Sequence, residues 1–289
     1  MRKLIILLLV ALVMQCGVTY ALENESTWEN ILLLGSDSRN VDGRGLTDTM
    51  IILSVNRDES LVKMTSIMRD TWVKYAGRGF SGKINAANSY GGPELAVNTV
   101  NECYGTAIED YVVVDMDDLC AIVDLMGGVK VEITEAERDQ ININITDFMN
   151  IMGKEYRYDG ALELKESGNV VLNGAMAVGY CRIRKIDSDF QRVMRQQEVL
   201  LSLADAAQNM EVDMLMEAAE RIYSMIETSM EWDEIKSLGT AFMVMDIHDV
   251  EQFRIPSEGA YTSGNYDGIW MIRPNLEKDR YRIWEFIYR

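Results

Sequence analysis

The sequence predicts an α/β protein, a three-layer α/β/α sandwich around a central mixed β-sheet. Asn30–Leu34 is an apolar run that ends at Gly35, which is typical of a central strand buried on both faces. Met50–Val55 and Leu61–Ile67 flank a polar turn and indicate a β-hairpin. Farther along, strand patterns alternate with helix patterns, which favours a sheet covered by helices.

The other elements follow from end signals and apolar spacing. Gly92-Pro93 opens a helix that Gly105 closes, and Asp117 or Asp118 caps a helix that ends at Gly127-Gly128. We also predict strands at Tyr111–Asp115, Val129–Ile133 and Val178–Ile183, helices at Asp189–Gln208, Val212–Met230, Trp232–Val244 and Asn275–Tyr288, and short strands at Phe253–Pro256 and Gly268–Ile272. The region Thr134–Gly168 is expected to be irregular, with helical pieces and an insertion.

Length and charge limit the classes of function. A chain of 289 residues holds one large domain or two small ones. Its formal net charge of −18 argues against nucleic-acid binding and against docking on anionic lipid through a basic patch. No repeat or linker divides the body, so we predict segments 1–22 (signal peptide or membrane anchor), 23–29 (spacer) and 30–289 (one domain, with a C-terminal part 206–289).

The N-terminus predicts export. A basic start and the apolar run Leu4–Met14 precede Ala21, a small residue at which a signal peptidase could cut. An uncleaved anchor over Leu4–Leu22 and a lipid on Cys16 are the alternatives. All three place the body outside the cytoplasm, either secreted or anchored at the outer face of the cytoplasmic membrane.

The remaining cysteines do not form a disulfide scaffold. Cys103, Cys120 and Cys181 are odd in number, so at most one bridge can form within the chain. Cys103 and Cys120 lie in apolar stretches, and we expect buried free thiols there.

A basic cluster stands out in this acidic chain, since five of the 28 Lys and Arg residues fall between positions 180 and 197. Guanidinium groups suit phosphate oxygens, which they can bind with two hydrogen bonds. The predicted strand and helix each present two arginines on one face. The strand face carries Tyr180, Arg182 and Arg184, and the helix face carries Arg192, Arg195 and Gln196. The cluster could clamp two phosphates. The alternative is that these arginines pair with surface carboxylates.

Two carboxylates lie at predicted strand ends. Asp37 follows the first strand and Asp48 precedes the second, so both can meet at one sheet edge, where the next strand delivers Arg69-Asp70. Such a pair suits Mg²⁺, which leaves positions open for substrate phosphate. The alternatives are a turn or cap role for Asp37 and a strand-leading role for Asp48. For Asp70 we favour a structural pairing with Arg69. Mg²⁺ with arginines would make a phosphoryl-transfer site.

Other chemistries lack their residues. His248 is the only histidine, which argues against a Ser-His-Asp triad. The sequence contains no zinc cluster, no Walker loop and no dinucleotide fingerprint.

An ordered set of motifs runs over about residues 30–205. They are Asn30–Arg39, Thr47–Met50, Ser66–Thr71, Lys83–Ala87, Gly127–Val129, Leu172–Gly174 with Tyr180–Arg184, and Asp189–Gln197. Any one motif is weak, but their order is specific, and the set resembles the LytR-CpsA-Psr family of bacterial cell-envelope proteins.

The resemblance implies the LytR-CpsA-Psr fold and an enzyme. Such proteins move an anionic glycopolymer from a polyprenyl (undecaprenyl) pyrophosphate carrier to a peptidoglycan hydroxyl at the membrane surface, forming a phosphodiester, and a pyrophosphatase side activity is implied as well. Carried over, the roles are Mg²⁺ (or Mn²⁺) binding for Asp37 and Asp48, catalysis for Arg69, Arg182, Arg184 and Asp189, and substrate binding for Arg39, Lys83, Arg192, Arg195 and Gln196. Asp189 would assist proton removal.

A non-catalytic module that binds polyprenyl phosphate or glycan, with a regulatory role in the cell envelope, is the alternative. Lipid capture alone needs the arginines but no metal pair, so the presence of both Asp37 and Asp48 favours the enzyme. The sequence does not specify which glycopolymer is transferred.

Overall fold

The structure is a computed structural model that describes residues 27–37, 44–153 and 155–289. The predicted signal or anchor segment, Cys16 and the predicted substrate ligand Arg39 lie outside these residues. Within the described ranges, no helix combines the length and the apolar character needed to cross a membrane.

Twelve strands and eight α-helices are found in the described residues. The strands are β1 (Trp28–Ser36), β2 (Thr47–Asn56), β3 (Leu61–Ile67), β4 (Trp72–Lys74), β5 (Ser81–Lys83), β6 (Ile108–Val114), β7 (Val129–Ile133), β8 (Gly168–Leu172), β9 (Glu227–Thr228), β10 (Glu251–Ile255), β11 (Tyr261–Tyr266) and β12 (Ile269–Pro274). The α-helices are α1 (Ala87–Tyr104), α2 (Met116–Leu125), α3 (Glu135–Met152), α4 (Gly174–Cys181), α5 (Asp189–Asn209), α6 (Val212–Tyr223), α7 (Trp232–Phe242) and α8 (Leu276–Tyr288).

A six-stranded mixed sheet forms the centre, in the order β10-β3-β2-β1-β6-β9. Strand β2 pairs antiparallel with β1 and with β3, and the β2–β3 pair confirms the predicted hairpin. Strand β6 pairs in parallel with β1, and β10 pairs in parallel with β3. Because β6 runs parallel to β1, the segments that follow these two strands emerge at the same sheet edge.

Helices cover both faces of this sheet, as the three-layer prediction requires. On one face, Leu32 and Leu34 of β1 join a cluster with residues of α1 and α8. On the other face, Val55 and Val62 pack with residues of α7, and Gln197 of α5 donates a hydrogen bond to Ser66 Oγ at 3.0 Å. Burial of this apolar surface on both faces is the main stabilising contribution of the sandwich.

A second hydrophobic cluster lies beside the sheet, where β7 pairs with β8 in a separate two-stranded ribbon. The predicted strand Val129–Ile133 is thus confirmed as β7, but it does not join the central sheet. The region expected to be irregular contains α3, an eighteen-residue helix. Its start is fixed by a reciprocal capping box between Thr134 and Glu137.

The predicted strand Val178–Ile183 is wrong, because α4 occupies Gly174–Cys181. Asn173 caps this helix by accepting a hydrogen bond from the Met176 amide at 3.0 Å. A Cβ added at Gly174 would lie 2.1 Å from the Cys120 carbonyl oxygen, so close packing of α4 on α2 fixes the conformation. A short apolar run is equally compatible with a buried strand or a buried helix, and this contact decides between them.

Smaller corrections concern element ends. Asp115, not Asp117 or Asp118, caps α2, and Asp118 completes the capping box. Strand β6 is only partly buried, and α6 ends at Tyr223, before the short strand β9. As predicted, Cys103 and Cys120 are buried free thiols, and Cys181 is also free.

Candidate active site

A β-bulge places the first carboxylate of the site. Gly35 pairs with Thr49 and Ser36 pairs with Thr47, so Asp48 is the extra residue of β2. A side chain at position 35 would lie 2.8 Å from Thr49 Cβ, which explains the glycine. Just past the bulge, the Asp37 amide donates to the Leu46 carbonyl at 2.9 Å. Asp48 lies in the bulge and Asp37 directly follows β1, so both stand at the same end of the β1–β2 pair, as predicted.

Two arginines from distant segments converge on Asp48. Arg69 Nη1 donates to Oδ1 at 2.5 Å, and Arg184 Nη2 donates to Oδ2. Burial alone would raise the pKa of Asp48, but the charges of Arg69 and Arg184 outweigh it and hold the pKa below its ordinary value. Asp48 is ionised at neutral pH and holds both guanidinium groups at the sheet edge.

Arg69 also reaches the start of α5, where its Nη2 lies 3.9 Å from Asp189 Oδ1. Its Nε is 3.7 Å from Asp70 Oδ2. The shorter contact of Asp70 is with Lys83, whose Nζ donates to Oδ1 at 2.6 Å. Asp70 therefore links Arg69 to Lys83 and is not simply the partner of Arg69.

Arg192 is the most buried cation of the site, with 2% of its side chain exposed. Its Nη2 donates to Asp189 Oδ2 at 3.0 Å, and Nη1 is 2.7 Å from Oδ1. However, no hydrogen-bond geometry satisfies Nη1 or Nε within the described residues. Burial and repulsion from Arg69 lower the pKa of Arg192 to about 10, so the group stays charged at neutral pH. Unsatisfied buried donors beside other cations are the environment that an anion would complete.

Arg195 and Gln196 follow Arg192 on the same helix, but they contact other residues and not the Asp48 cluster. Arg195 Nε donates to Glu137 Oε1 at 2.8 Å and its Nη2 donates to Asp187. Gln196 Nε2 is 3.5 Å from the Cys181 carbonyl. The charge of Arg195 is balanced by two carboxylates, which gives it a structural role in the present geometry.

Arg182 and Arg184 do not share a strand face, because the segment after α4 is not a strand. Arg184 joins Asp48, whereas Arg182 contacts the Met116 thioether at the start of α2. Arg182 also lines a cleft of about 480 Å³ together with Asp147, Asn150 and Ile151. Since α2 follows β6, Arg182 stands at the same sheet edge as the Asp48 cluster.

The two carboxylates at this edge have the chemistry of ligands for a hard divalent ion whose coordination shell also includes substrate oxygens. Asp37 and Asp48 supply two carboxylates, which is the usual protein share for Mg²⁺ at phosphate sites. No group of three or more Asp, Glu, His or Cys side chains that could hold a metal occurs in the described part of the chain. An all-protein metal cage is therefore not formed by these residues.

Two partners of the basic cluster, Glu137 and Asp187, were not predicted from the sequence. A signal for Glu137 was available, since Thr134 followed three residues later by Glu137 is a capping-box pattern. No local signal pairs Asp187 with Arg195.

Comparison with known proteins identifies relatives over most of the chain. The LytR_cpsA_psr family profile matches residues 15–280. A protein of Halalkalibacterium halodurans named polyisoprenyl-teichoic acid–peptidoglycan teichoic acid transferase TagU is 30% identical over 252 residues, covering 86% of this chain and 75% of the relative. TagU of Bacillus subtilis strain 168 is 28% identical over 240 residues, covering 82% and 71%.

Solved structures agree with the fold. The crystal structure of B. subtilis TagV has a TM-score of 0.71 and 26% identity, covering 91% of this chain and 98% of TagV. A structure titled "TagT bound to LI-WTA" has a TM-score of 0.71 at 22% identity, covering 92% and 94%, and shows the shared fold alone. Family profile, relatives and fold agree, and the chain belongs to the LytR-CpsA-Psr family.

Proposed function

We propose that this protein transfers an anionic glycopolymer from a polyprenyl (undecaprenyl) pyrophosphate carrier to a peptidoglycan hydroxyl. The hydroxyl oxygen bonds to the phosphorus that carries the glycan, and the bond from that phosphorus to the bridging oxygen breaks. The products are a phosphodiester and polyprenyl phosphate. The names of the relatives support this reaction class, since each names a transferase from polyisoprenyl-teichoic acid to peptidoglycan.

The observation that carries the proposal is the convergence of Arg69, Arg184 and Arg192 around Asp48 and Asp189. Four cations, counting Lys83, face the three carboxylates Asp48, Asp70 and Asp189. The donors Nε and Nη1 of the buried Arg192 have no hydrogen-bond partner there. A pyrophosphate would supply the missing acceptors and charge, and these cations would stabilise charge on the phosphate oxygens during transfer.

Asp37 and Asp48 would hold Mg²⁺, with Mn²⁺ as the alternative. When bound, the ion neutralises phosphate charge and orients the reacting group. Asp48 also keeps Arg69 and Arg184 in place, so its role combines metal binding with arginine positioning.

Asp189 is proposed to accept the proton of the acceptor hydroxyl. It lies between Arg69 and Arg192, with its side chain 28% exposed, so solvent and acceptor can reach it. Water in place of the acceptor would give the pyrophosphatase side activity. Arg182, in the cleft beside Met116, would contact the second phosphate from the same sheet edge. Arg39, Arg195 and Gln196 keep their proposed substrate-binding roles, with Arg195 acting through a rearrangement of its two ion pairs.

The substrates place the reaction at the outer face of the cytoplasmic membrane, where the lipid carrier and peptidoglycan meet. The apolar run Leu4–Met14 supports export or anchoring at that face.

The test is transfer of a synthetic polyprenyl-pyrophosphate glycan to peptidoglycan oligomers by the full chain, with Mg²⁺ and with chelator. Asp37→Asn and Asp48→Asn should each lower kcat at least about 100-fold, as loss of a preorganised charge commonly does. Asp58→Asn, in the exposed turn at the opposite end of β2, is the matched control and should leave kcat unchanged.

Metal-dependent product that disappears in both site variants would support the proposal. Tight binding of the lipid with no product under either condition would support the non-catalytic binding module instead. Full activity of Asp37→Asn would remove the metal assignment from that residue.

A further inference from the structure

One segment of this acidic chain contains no acidic residue. From position 71 to position 93 there is no Asp or Glu, although 46 acids in 289 residues would place three or four in a stretch of that length. The same segment carries the cations Lys74, Arg78 and Lys83. Its charge is therefore opposite to the net charge of the protein, and an anionic chain would be attracted to it.

The first half of this segment is a β-hairpin, Trp72–Lys83, which we name the cationic hairpin. In its ladder Trp72 pairs with Lys83, and Lys74 pairs with Ser81. Paired residues share a face and faces alternate along a strand, so Lys74 and Lys83 stand on one face. Val73, on the other face, is buried in the core. The outer face thus presents two lysines in a row that begins at the active site.

The hairpin is connected to the phosphate site at its base. Lys83 forms an ion pair with Asp70 at 2.6 Å, and Asp70 lies 3.7 Å from Arg69. Lys74 stands two residues farther along, about 7 Å at the usual strand rise. Lys74 and Arg78 are exposed, and neither forms a salt bridge with another residue in the described ranges.

Exposed aromatic rings lie at the hairpin tip, on the face of Val73 and Gly82 and not on that of the two lysines. Phe80 and Tyr90 are 46% and 56% exposed, and their ring centroids are 5.3 Å apart. Buried Tyr75 packs against both and donates its hydroxyl to the Lys83 carbonyl at 2.8 Å. Sugar rings stack their C–H faces on aromatic rings, so the hairpin tip offers contacts for sugars or polyols, and the lysines on the outer face offer contacts for the phosphates that link them.

We propose that the cationic hairpin binds the repeat units of the anionic glycopolymer that extend beyond the pyrophosphate. This inference rests on the proposed function, and it identifies the polymer itself, not only its lipid pyrophosphate, as a recognised part of the donor. The hairpin would favour donors with charged repeats over neutral glycans on the same carrier.

The first experiment measures binding without catalysis. A fluorescently labelled, lipid-free poly(glycerol phosphate) oligomer is titrated with the full chain in detergent, at low and at high salt. The double variant Lys74→Glu/Arg78→Glu should bind about tenfold more weakly at low salt, and the difference should shrink at high salt. The matched control Arg221→Glu/Lys278→Glu changes the net charge equally at exposed positions on α6 and α8 and should retain binding. Melting curves verify that both variants fold.

Transfer kinetics provide the second arm. With a donor that carries several charged repeats, the hairpin variant should raise KM about tenfold and leave kcat unchanged. With a donor that ends at its first sugars, the variant and the wild type should have the same KM.

Wild-type protein that does not bind the oligomer, or an equal loss in the hairpin and control variants, would overturn the inference. Unchanged KM with the long donor would do the same while leaving the proposed function intact. Oligomer binding through Lys74 and Arg78 without transfer of any donor would reject the proposed function and retain the polymer-binding surface.

Discussion

Arg192 and Arg195 lie three residues apart on α5, and replacing each by Met should change stability in opposite directions. Both side chains are buried, at 2% and 6% exposed. Arg195 is balanced by Glu137 and Asp187, whereas Arg192 shares Asp189 with Arg69. Burial alone would lower the pKa of Arg195, but its hydrogen bonds to these two carboxylates outweigh burial and raise it.

The magnitude for Arg192 follows from its pKa, which burial and repulsion from Arg69 lower from the ordinary arginine value to about 10. At about 1.4 kcal/mol per pKa unit, the charged form costs the folded state on the order of 3 kcal/mol. Because the unfolded chain binds this proton more tightly, the cost is fully present below pH 10 and fades as the pH rises from there toward the ordinary pKa of arginine. Arg192→Met keeps an unbranched apolar stem and removes the charge, so we expect a gain of about 1–3 kcal/mol, or roughly 3–8 °C in melting temperature.

Arg195→Met should instead cost about 3–5 kcal/mol, because it leaves Glu137 and Asp187 without their partner at 14% and 23% exposure. Calorimetric melting of the full chain checks both values. Adding a short polyprenyl pyrophosphate at about 100 times its Kd should stabilise the wild type by about 2.7 kcal/mol. That ligand-induced shift should be lost in Arg192→Met.

A lower melting temperature for Arg192→Met than for the wild type would refute the reasoning, as it would show that Asp189 already compensates the buried charge. An unchanged pyrophosphate shift in that variant would show that Arg192 does not bind the anion.

Three further predictions concern stability. Gly174→Ala should destabilise the protein by about 3 kcal/mol or more, because its Cβ would lie 2.1 Å from the Cys120 carbonyl; denaturant midpoints measure this. Gly239→Ala, within α7 and with no atom within 4 Å of the added Cβ, should stabilise by about 0.5–1 kcal/mol in the same assay, and a loss there would contradict the helix assignment. The pKa values of Asp48 and Glu137 are lowered, so their contribution is present above their unfolded pKa values of 3.8 and 4.5 and is lost as the pH falls through the lower folded values. Acid titration of Arg195→Met should therefore show a smaller stability loss below about pH 4.5 than the wild type.

The sequence predicted the hairpin because its apolar patterns and polar turn are local. The buried run at Asn30–Leu34 and the C-terminal signal of α1 at Gly105 also act within a few residues. These elements are confirmed because the same residues that carry the signal make the structure. The predicted start at Gly92-Pro93 is instead a kink inside α1, which begins at Ala87.

The segment around Arg182 and Arg184 could not be assigned in this way. Its apolar run Gly174–Tyr180 fits a strand or a helix, and contacts of α4 with α2 and α3, distant in sequence, select the helix. Because this segment is not a strand, the prediction that Arg182 and Arg184 share a strand face is also wrong. Arg184 still reaches Asp48, since the chain after α4 returns to the sheet edge.

The order of residues along the chain specifies the fold class, the family motifs and the residue types of the site, because periodicity, turn residues and ordered motifs are properties of that order. The pairing of the charges is set by the tertiary structure. Asp48 forms ion pairs with Arg69 and Arg184, and Arg195 forms ion pairs with Glu137 and Asp187. Arg192 has guanidinium donors without a hydrogen-bond partner in the described residues. Coulomb energy and desolvation depend on the distance between charges and on their burial, and both are set by residues that lie far apart in the sequence.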